Sequence, residues 1–227
     1  MTSEASLSLP SFSDQVNLRG QVREALRALL VTGQMRPGHL YSAPKLAVEF
    51  GVSATPVREA MLDLVTEGLV EAVRNKGFRV TELDDRDLDD IAELRGLVEV
   101  PVMQAVALAC TGPVAVEVEK LRAVAKQIVA AAAAGDLVTY TEADTTFHLR
   151  MLALHGNERV VAVVRDLRRR SRLYGLEALA AAGVLAQLAE EHEQMVDAAL
   201  ARNGETMHTL MARHIGHLRS TWALPSP

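Results

Sequence analysis

The chain has 227 residues, 49% hydrophobic and 23% charged, which is enough apolar material for one or two cored domains and too evenly mixed for a fibrous or disordered chain. No apolar run reaches the roughly 20 residues of a membrane helix, the serine-rich start lacks the basic and apolar regions of a secretory leader, and one cysteine excludes a disulfide framework, so a cytoplasmic protein with no membrane partner is expected. The net charge is −5, unevenly spread: nine basic and six acidic residues between Arg19 and Val80 leave that stretch at +3 and the remainder at −8, as for a nucleic-acid module joined to something else.

Residues 1–14 read as a disordered tail. Val22, Leu26, Leu29 and Leu30 then recur at helical spacing, and Gly33 and Pro37–Gly38 stop the pattern. A short helix runs from Ala43 to Phe50, followed by a tight turn at Gly51-Val52-Ser53. A third helix has Ser53 or Thr55 as its cap and Pro56 in its first turn. It points Val57, Ala60, Met61 and Leu64 inward and ends near Gly68. Two runs rich in β-formers, 69–73 and 77–81, flank Asn75-Lys76-Gly77 and predict a hairpin.

Beyond Leu83 the strand signals vanish. Asp84 or Asp85 caps a long helix to Leu108, in which Pro101 predicts a kink or a break near Val100. Further helices are expected at about 114–134, 137–154, 158–175, 182–202 and 204–221, separated by glycine and asparagine breaks. The fold class is therefore mainly α: a winged helix-turn-helix over residues 15–82 and an all-α antiparallel bundle of roughly six helices over 83–222.

Helix, glycine turn, helix and hairpin is the order of a DNA-reading module whose second helix enters the major groove tip first. Ser53, Ala54, Thr55 and Arg58 suit that tip, and the free N–H groups there suit a phosphate. Lys76 and Arg79 on the hairpin are placed to reach phosphates or the minor groove. Helix-turn-helix shapes also occur in domains that bind no DNA, and Arg58 beside Glu59 also reads as a solvated face.

In the second part, Asp144 and His148 lie four apart on one helix face, and His192 and His214 lie on later helices. Three neutral imidazoles and a carboxylate suit Zn²⁺, Ni²⁺, Mn²⁺ or Fe²⁺. His155 and His217 are rivals for the same role, and histidines on apolar helix faces are often core or surface residues.

The stretch Leu46-Ala47-Val48-Glu49-Phe50-Gly51-Val52-Ser53-Ala54-Thr55-Pro56-Val57-Arg58-Glu59-Ala60-Met61, with Met35-Arg36-Pro37-Gly38 before it and Glu67-Gly68-Leu69-Val70 and Asn75-Lys76-Gly77-Phe78-Arg79-Val80 after it, resembles the signature of the GntR family of bacterial regulators. The resemblance implies operator contacts from Lys45, Ser53, Ala54, Thr55, Pro56, Arg58, Asn75, Lys76 and Gly77. Two positions depart from the pattern: Ala54 stands where many members carry arginine, and Pro44 where several carry a basic residue. Arg58 is thus the recognition helix's remaining candidate for a guanine contact.

Downstream, Asp144-x-x-Phe147-His148, Gly156–Asn157, Glu191-His192 and Ala212-Arg213-His214-Ile215 look like the FCD-type effector domain of the FadR branch of that family. The resemblance implies a metal held by Asp144, His148, His192 and His214, and a small carboxylate effector on that metal. It places Arg95, Glu99 and Asn157 at the effector, although Arg95 and Glu99 equally suit a structural pair. The count of six helices favours the VanR-like subgroup. It further implies a homodimer on a near-palindromic operator, and no enzymatic activity. A metal-dependent hydrolase-like enzyme, a protein whose metal only stabilises the fold, and an activator of the same architecture stand as the rival readings.

Overall fold

The computed structural model of the chain describes residues 18–171, 176–181 and 183–222. The expected tail at 1–14 and the end of the helix expected at 158–175 lie outside them. Two hydrophobic cores form, one on each side of residues 81–87.

The first is a winged helix-turn-helix of α1 (Leu18–Val31), β1 (Leu40–Tyr41), α2 (Ala43–Phe50), α3 (Ala54–Thr66), β2 (Val70–Val73) and β3 (Gly77–Val80). Ser42 caps α2 by accepting from the Lys45 amide, and Gly51 ends it at φ 66°, in the left-handed region that glycine enters most easily. Ser53 is the N-cap of α3 by backbone geometry, but its hydroxyl makes no capping bond. Leu26, Val57, Ala60, Met61 and Leu64 are fully buried. The sheet order is β1-β3-β2, antiparallel throughout. β1 is an addition to the predicted hairpin, because two residues carry no readable alternation. It passes so close to β3 that a Cβ on Gly77 would lie 2.3 Å from the Tyr41 carbonyl oxygen.

The second core is built by α4 (Asp85–Leu108), α5 (Gly112–Ala134), α6 (Leu137–Ala153), α7 (Glu158–Ser171), α8 (Leu176–Ala181), α9 (Val184–Leu200) and α10 (Gly204–Trp222). Asp84 and Asp87 close a reciprocal capping box at the start of α4. Of the kink or break expected near Val100, the break does not occur: α4 continues through Pro101. Pro101 faces solvent, while Val100 and Met103 on either side are buried, and packing along α10 holds the helix across the missing bond. Among the described residues six long helices match the expected number, and the six-residue α8 is one more. It is too short for periodicity to reveal, and it is held by buried Leu176 and Leu179. α10 packs on α4 and α9, α5 on α6 and α9, and α7 on α4 and α6. The inner faces of α4, α6, α7, α9 and α10 thereby meet. No single helix among the described residues is long and apolar enough to cross a membrane.

Candidate metal centre and nucleic-acid face

Eight polar residues occupy the meeting point of the bundle: Arg95 and Glu99 from α4, Asp144 and His148 from α6, Arg168 from α7, Glu191 and His192 from α9, and His214 from α10. None is more than 1% exposed. Burial of so many charges costs folding energy unless each finds a partner, and most of the hydrogen bonds here are between members of the group. Glu99 takes Arg95 Nε on Oε1 at 2.6 Å, and Arg168 Nε and Nη2 on Oε2 at 3.0 and 2.6 Å. Arg168 Nη1 donates to Asp144 Oδ2 at 2.9 Å. Burial pushes the Glu99 carboxyl up, and the two guanidiniums more than offset it, leaving it below its ordinary range.

The imidazoles are oriented from outside. His192 donates its Nδ1–H to the Ala189 carbonyl at 3.0 Å, and His214 donates its Nδ1–H to Glu191 Oε2 at 2.9 Å. Both rings therefore turn Nε2 inward as a lone pair. His192 Nε2 lies 3.1 Å from His148 Nε2 and 3.2 Å from Asp144 Oδ1, and His214 Nε2 is buried with no hydrogen-bond partner. Asp144, His148, His192 and His214 each offer one ligand atom, and these atoms all lie within 4.8 Å of one another. Burial, aided by Arg168, pushes His148 well below the usual histidine range. Burial also takes His214 down to about 4 despite the opposing pull of Glu191. Neutral imidazoles are the ligand form. One His148 tautomer donates Nε2–H to His192 Nε2; the other turns a third lone pair inward, and the resulting donor set of three nitrogens and one oxygen fits a divalent transition metal.

The structure thus brings together the four expected ligands with Arg95 and Glu99, which form a buried i,i+4 pair. It does not bring in Asn157, which is exposed at the start of α7 and accepts the Arg159 and Val160 amides on its Oδ1. Of the rival histidines, His155 is exposed, and His217 sits 3.7 Å from Glu191 outside the four-ligand group. Arg168 and Glu191 were missed by the reading of the sequence. Arg168 stands in the run Arg168-Arg169-Arg170, which resembles a solvated helix end. Glu191 is signalled only by its place beside His192.

The winged module presents a different array. Lys45, Ser53, Ala54, Thr55, Arg58, Asn75 and Lys76 are exposed, Pro56 and Gly77 half-buried. No hydrogen bond or ion pair among the described residues engages the side chains of Lys45, Arg58 or Lys76. Arg79 differs, pairing across the strands with Glu71 at 3.1 Å. A row of exposed cations around a helix tip and a β-turn is what phosphate binding needs.

Comparison with known proteins agrees with both halves. Residues 18–80 match the model described as bacterial regulatory proteins, gntR family, and residues 90–217 match the FCD domain. The chain is 34% identical over 146 residues to the Nta operon transcriptional regulator of Aminobacter aminovorans, covering 63% of this chain and 67% of that protein. It is 26% identical over 212 residues to the probable D-xylose utilization operon transcriptional repressor of Paenarthrobacter nicotinovorans, covering 88% and 87%. Among solved structures, E. coli McbR/YncC superposes with a TM-score of 0.70 at 25% identity, over 89% of this chain and 95% of that one. These families and relatives are transcriptional regulators rather than enzymes.

Proposed function

The chain belongs to the GntR family of bacterial regulators, a DNA-binding module followed by an FCD domain, and from that premise we propose that it is a cytoplasmic repressor released by a small organic acid at a divalent-metal site. The metal ligands are Asp144, His148, His192 and His214. The observation that carries the reading is the convergence of four buried ligand atoms, two of the three imidazoles fixed by hydrogen bonds that turn Nε2 inward. A bound divalent ion supplies Lewis acidity and positions that a carboxylate can take. Arg95 is the second anchor: its Nη1 and Nη2 are buried without a hydrogen-bond partner, and a guanidinium fork suits a carboxylate.

The repressor acts as a homodimer on a near-palindromic operator, its two α3 tips reading half-sites about one DNA turn apart. Leu94 and Leu97 on α4 and Val163 on α7 are about half exposed or more, apolar surface of the kind a second copy covers. The route from sensor to DNA runs through the junction of the two cores. A cavity of about 510 Å³ lies there, lined among others by Arg27, Val31 and Leu69 on one side and Thr145, Leu149 and Arg169 on the other. Thr145 and Arg169 follow Asp144 and Arg168 directly in the chain, so a shift of α6 or α7 at the ligands moves the junction wall. The acid releases DNA only by binding the DNA-incompetent arrangement more tightly.

The test is to select an operator from randomised duplexes and titrate the zinc-loaded protein–DNA complex with a panel of small carboxylates. One acid is expected to weaken binding at least ~10-fold, which corresponds to ~1.4 kcal/mol of differential affinity, with no effect after chelation of the metal. No selected duplex, or no acid that acts through the metal, sinks the reading. Transcription that rises on binding would make the protein an activator.

A further inference from the structure

We propose that Arg168 is a positioning residue that confines Asp144 to one metal-facing oxygen by bridging it to Glu99, so that positions on the metal stay open to an organic acid. The inference rests on the metal reading above. Of the three buried carboxylates at the cluster, only Asp144 is a ligand in that reading; Glu191 is held by His214 Nδ1, and Glu99 by the two arginines. Asp144 turns Oδ1 toward His192 Nε2 at 3.2 Å and His148 Nε2 at 3.9 Å. Glu99 Oε2 is 3.8 Å from His148 Nδ1, the ring nitrogen away from the ligand cluster, and is joined through the Arg168 guanidinium to Asp144, the carboxylate that faces the ion. One guanidinium restrains both: Nη1 holds Asp144 Oδ2 at 2.9 Å, while Nε and Nη2 hold Glu99 Oε2. Arg95 takes the remaining Glu99 oxygen.

The planar fork matters because its donors point along fixed, divergent directions and span two acceptors on different helices, α4 and α6. A lysine ammonium has the charge but not the reach to hold both carboxylates in place. With Arg168 gone, Asp144 is released to bind through two oxygens. The ion then saturates itself with protein oxygens, and an incoming carboxylate has nothing to displace except a tethered ligand. A merely structural ion pair would change stability alone.

The full chain loaded with Co²⁺, whose visible absorption reports coordination, is titrated with azide as the probe anion. Wild type should hold about one Co²⁺ per chain and shift its spectrum on azide addition. Arg168→Met should still hold Co²⁺, show an altered spectrum before azide, and bind azide at least ~10-fold more weakly. Arg168→Lys should fall between. A folded Met variant with the wild-type spectrum and azide response overturns the proposal while leaving the metal site standing. If the Met variant does not fold, a wild-type azide response in the Lys variant overturns it instead. Failure of wild type to take up Co²⁺ refutes the metal reading itself, and this proposal with it.

Discussion

The two halves of the chain use arginine in opposite ways. In the winged module Arg58 is exposed and engages no acid among the described residues, so its charge is available to a partner. In the bundle Arg95 and Arg168 are fully buried and bind Glu99 and Asp144. An exposed guanidinium contributes little to folding and much to association. A buried one is costly to desolvate and cannot be left alone. Stability and DNA affinity should therefore respond to different arginines, and the buried histidines should make the bundle respond to acid.

The largest effect is expected from Glu99→Ala, which strands the buried Arg95 guanidinium and leaves Arg168 its pair with Asp144. The loss should be about 3–5 kcal/mol, read as a fall in Tm of roughly 10 °C or more. A Tm within about 2 °C of wild type would mean that the charges are less buried than the geometry requires. Next comes acid. The metal-free protein buries His214 neutral, with its pKa depressed to about 4 chiefly by burial, and His148 is depressed as well. Between an unfolded value near 6.5 and about 4, the unfolded chain binds more protons than the folded one. Stability is thus full above the unfolded value and drains as pH falls through that window, by on the order of 3 kcal/mol for His214. Urea midpoints of the chelated protein at pH 7.5 and 4.5 check this, and equal midpoints would contradict it.

The DNA face should answer differently. Arg58→Ala is expected to weaken operator binding by roughly 10- to 100-fold through a lost base contact, with Tm unchanged. Lys76→Ala should lower the salt slope of binding by about one phosphate with little effect on sequence preference. Both are read by fluorescence anisotropy across a salt series, and a Tm drop in either would place that side chain in the fold instead. The smallest effect belongs to Arg79→Ala, whose pair with Glu71 is solvent-exposed. Thermal unfolding should stay within about 2 °C of wild type, and a larger fall would show the wing to depend on that pair.

The same contrast explains what was legible. Helices of two turns and more, the turn at Gly51 and the hairpin around Asn75 follow from local periodicity and turn chemistry. The two-residue β1 and six-residue α8 exist through tertiary packing and have no periodicity to read. Asp144, His148, His192 and His214 were legible as residue types with ligand chemistry, in a pattern that resembles a known domain. Their support was not: Arg168 is one of three consecutive arginines, and only the crossing of α7 over α4 and α6 turns that one inward. Asn157 fell within the family-like pattern, yet its side chain is engaged in starting α7 on the surface. At Pro101 local chemistry argues for a kink or a break, and packing against α10 carries the helix through without the break.

The most direct test of the central claim is metal analysis of the purified full chain beside an Asp144→Ala/His192→Ala variant. The account predicts about one transition metal per chain in the wild type and next to none in the variant. No metal in either protein, even after incubation with Zn²⁺ or Ni²⁺, would contradict it and leave a DNA-binding regulator whose buried histidines serve only the fold.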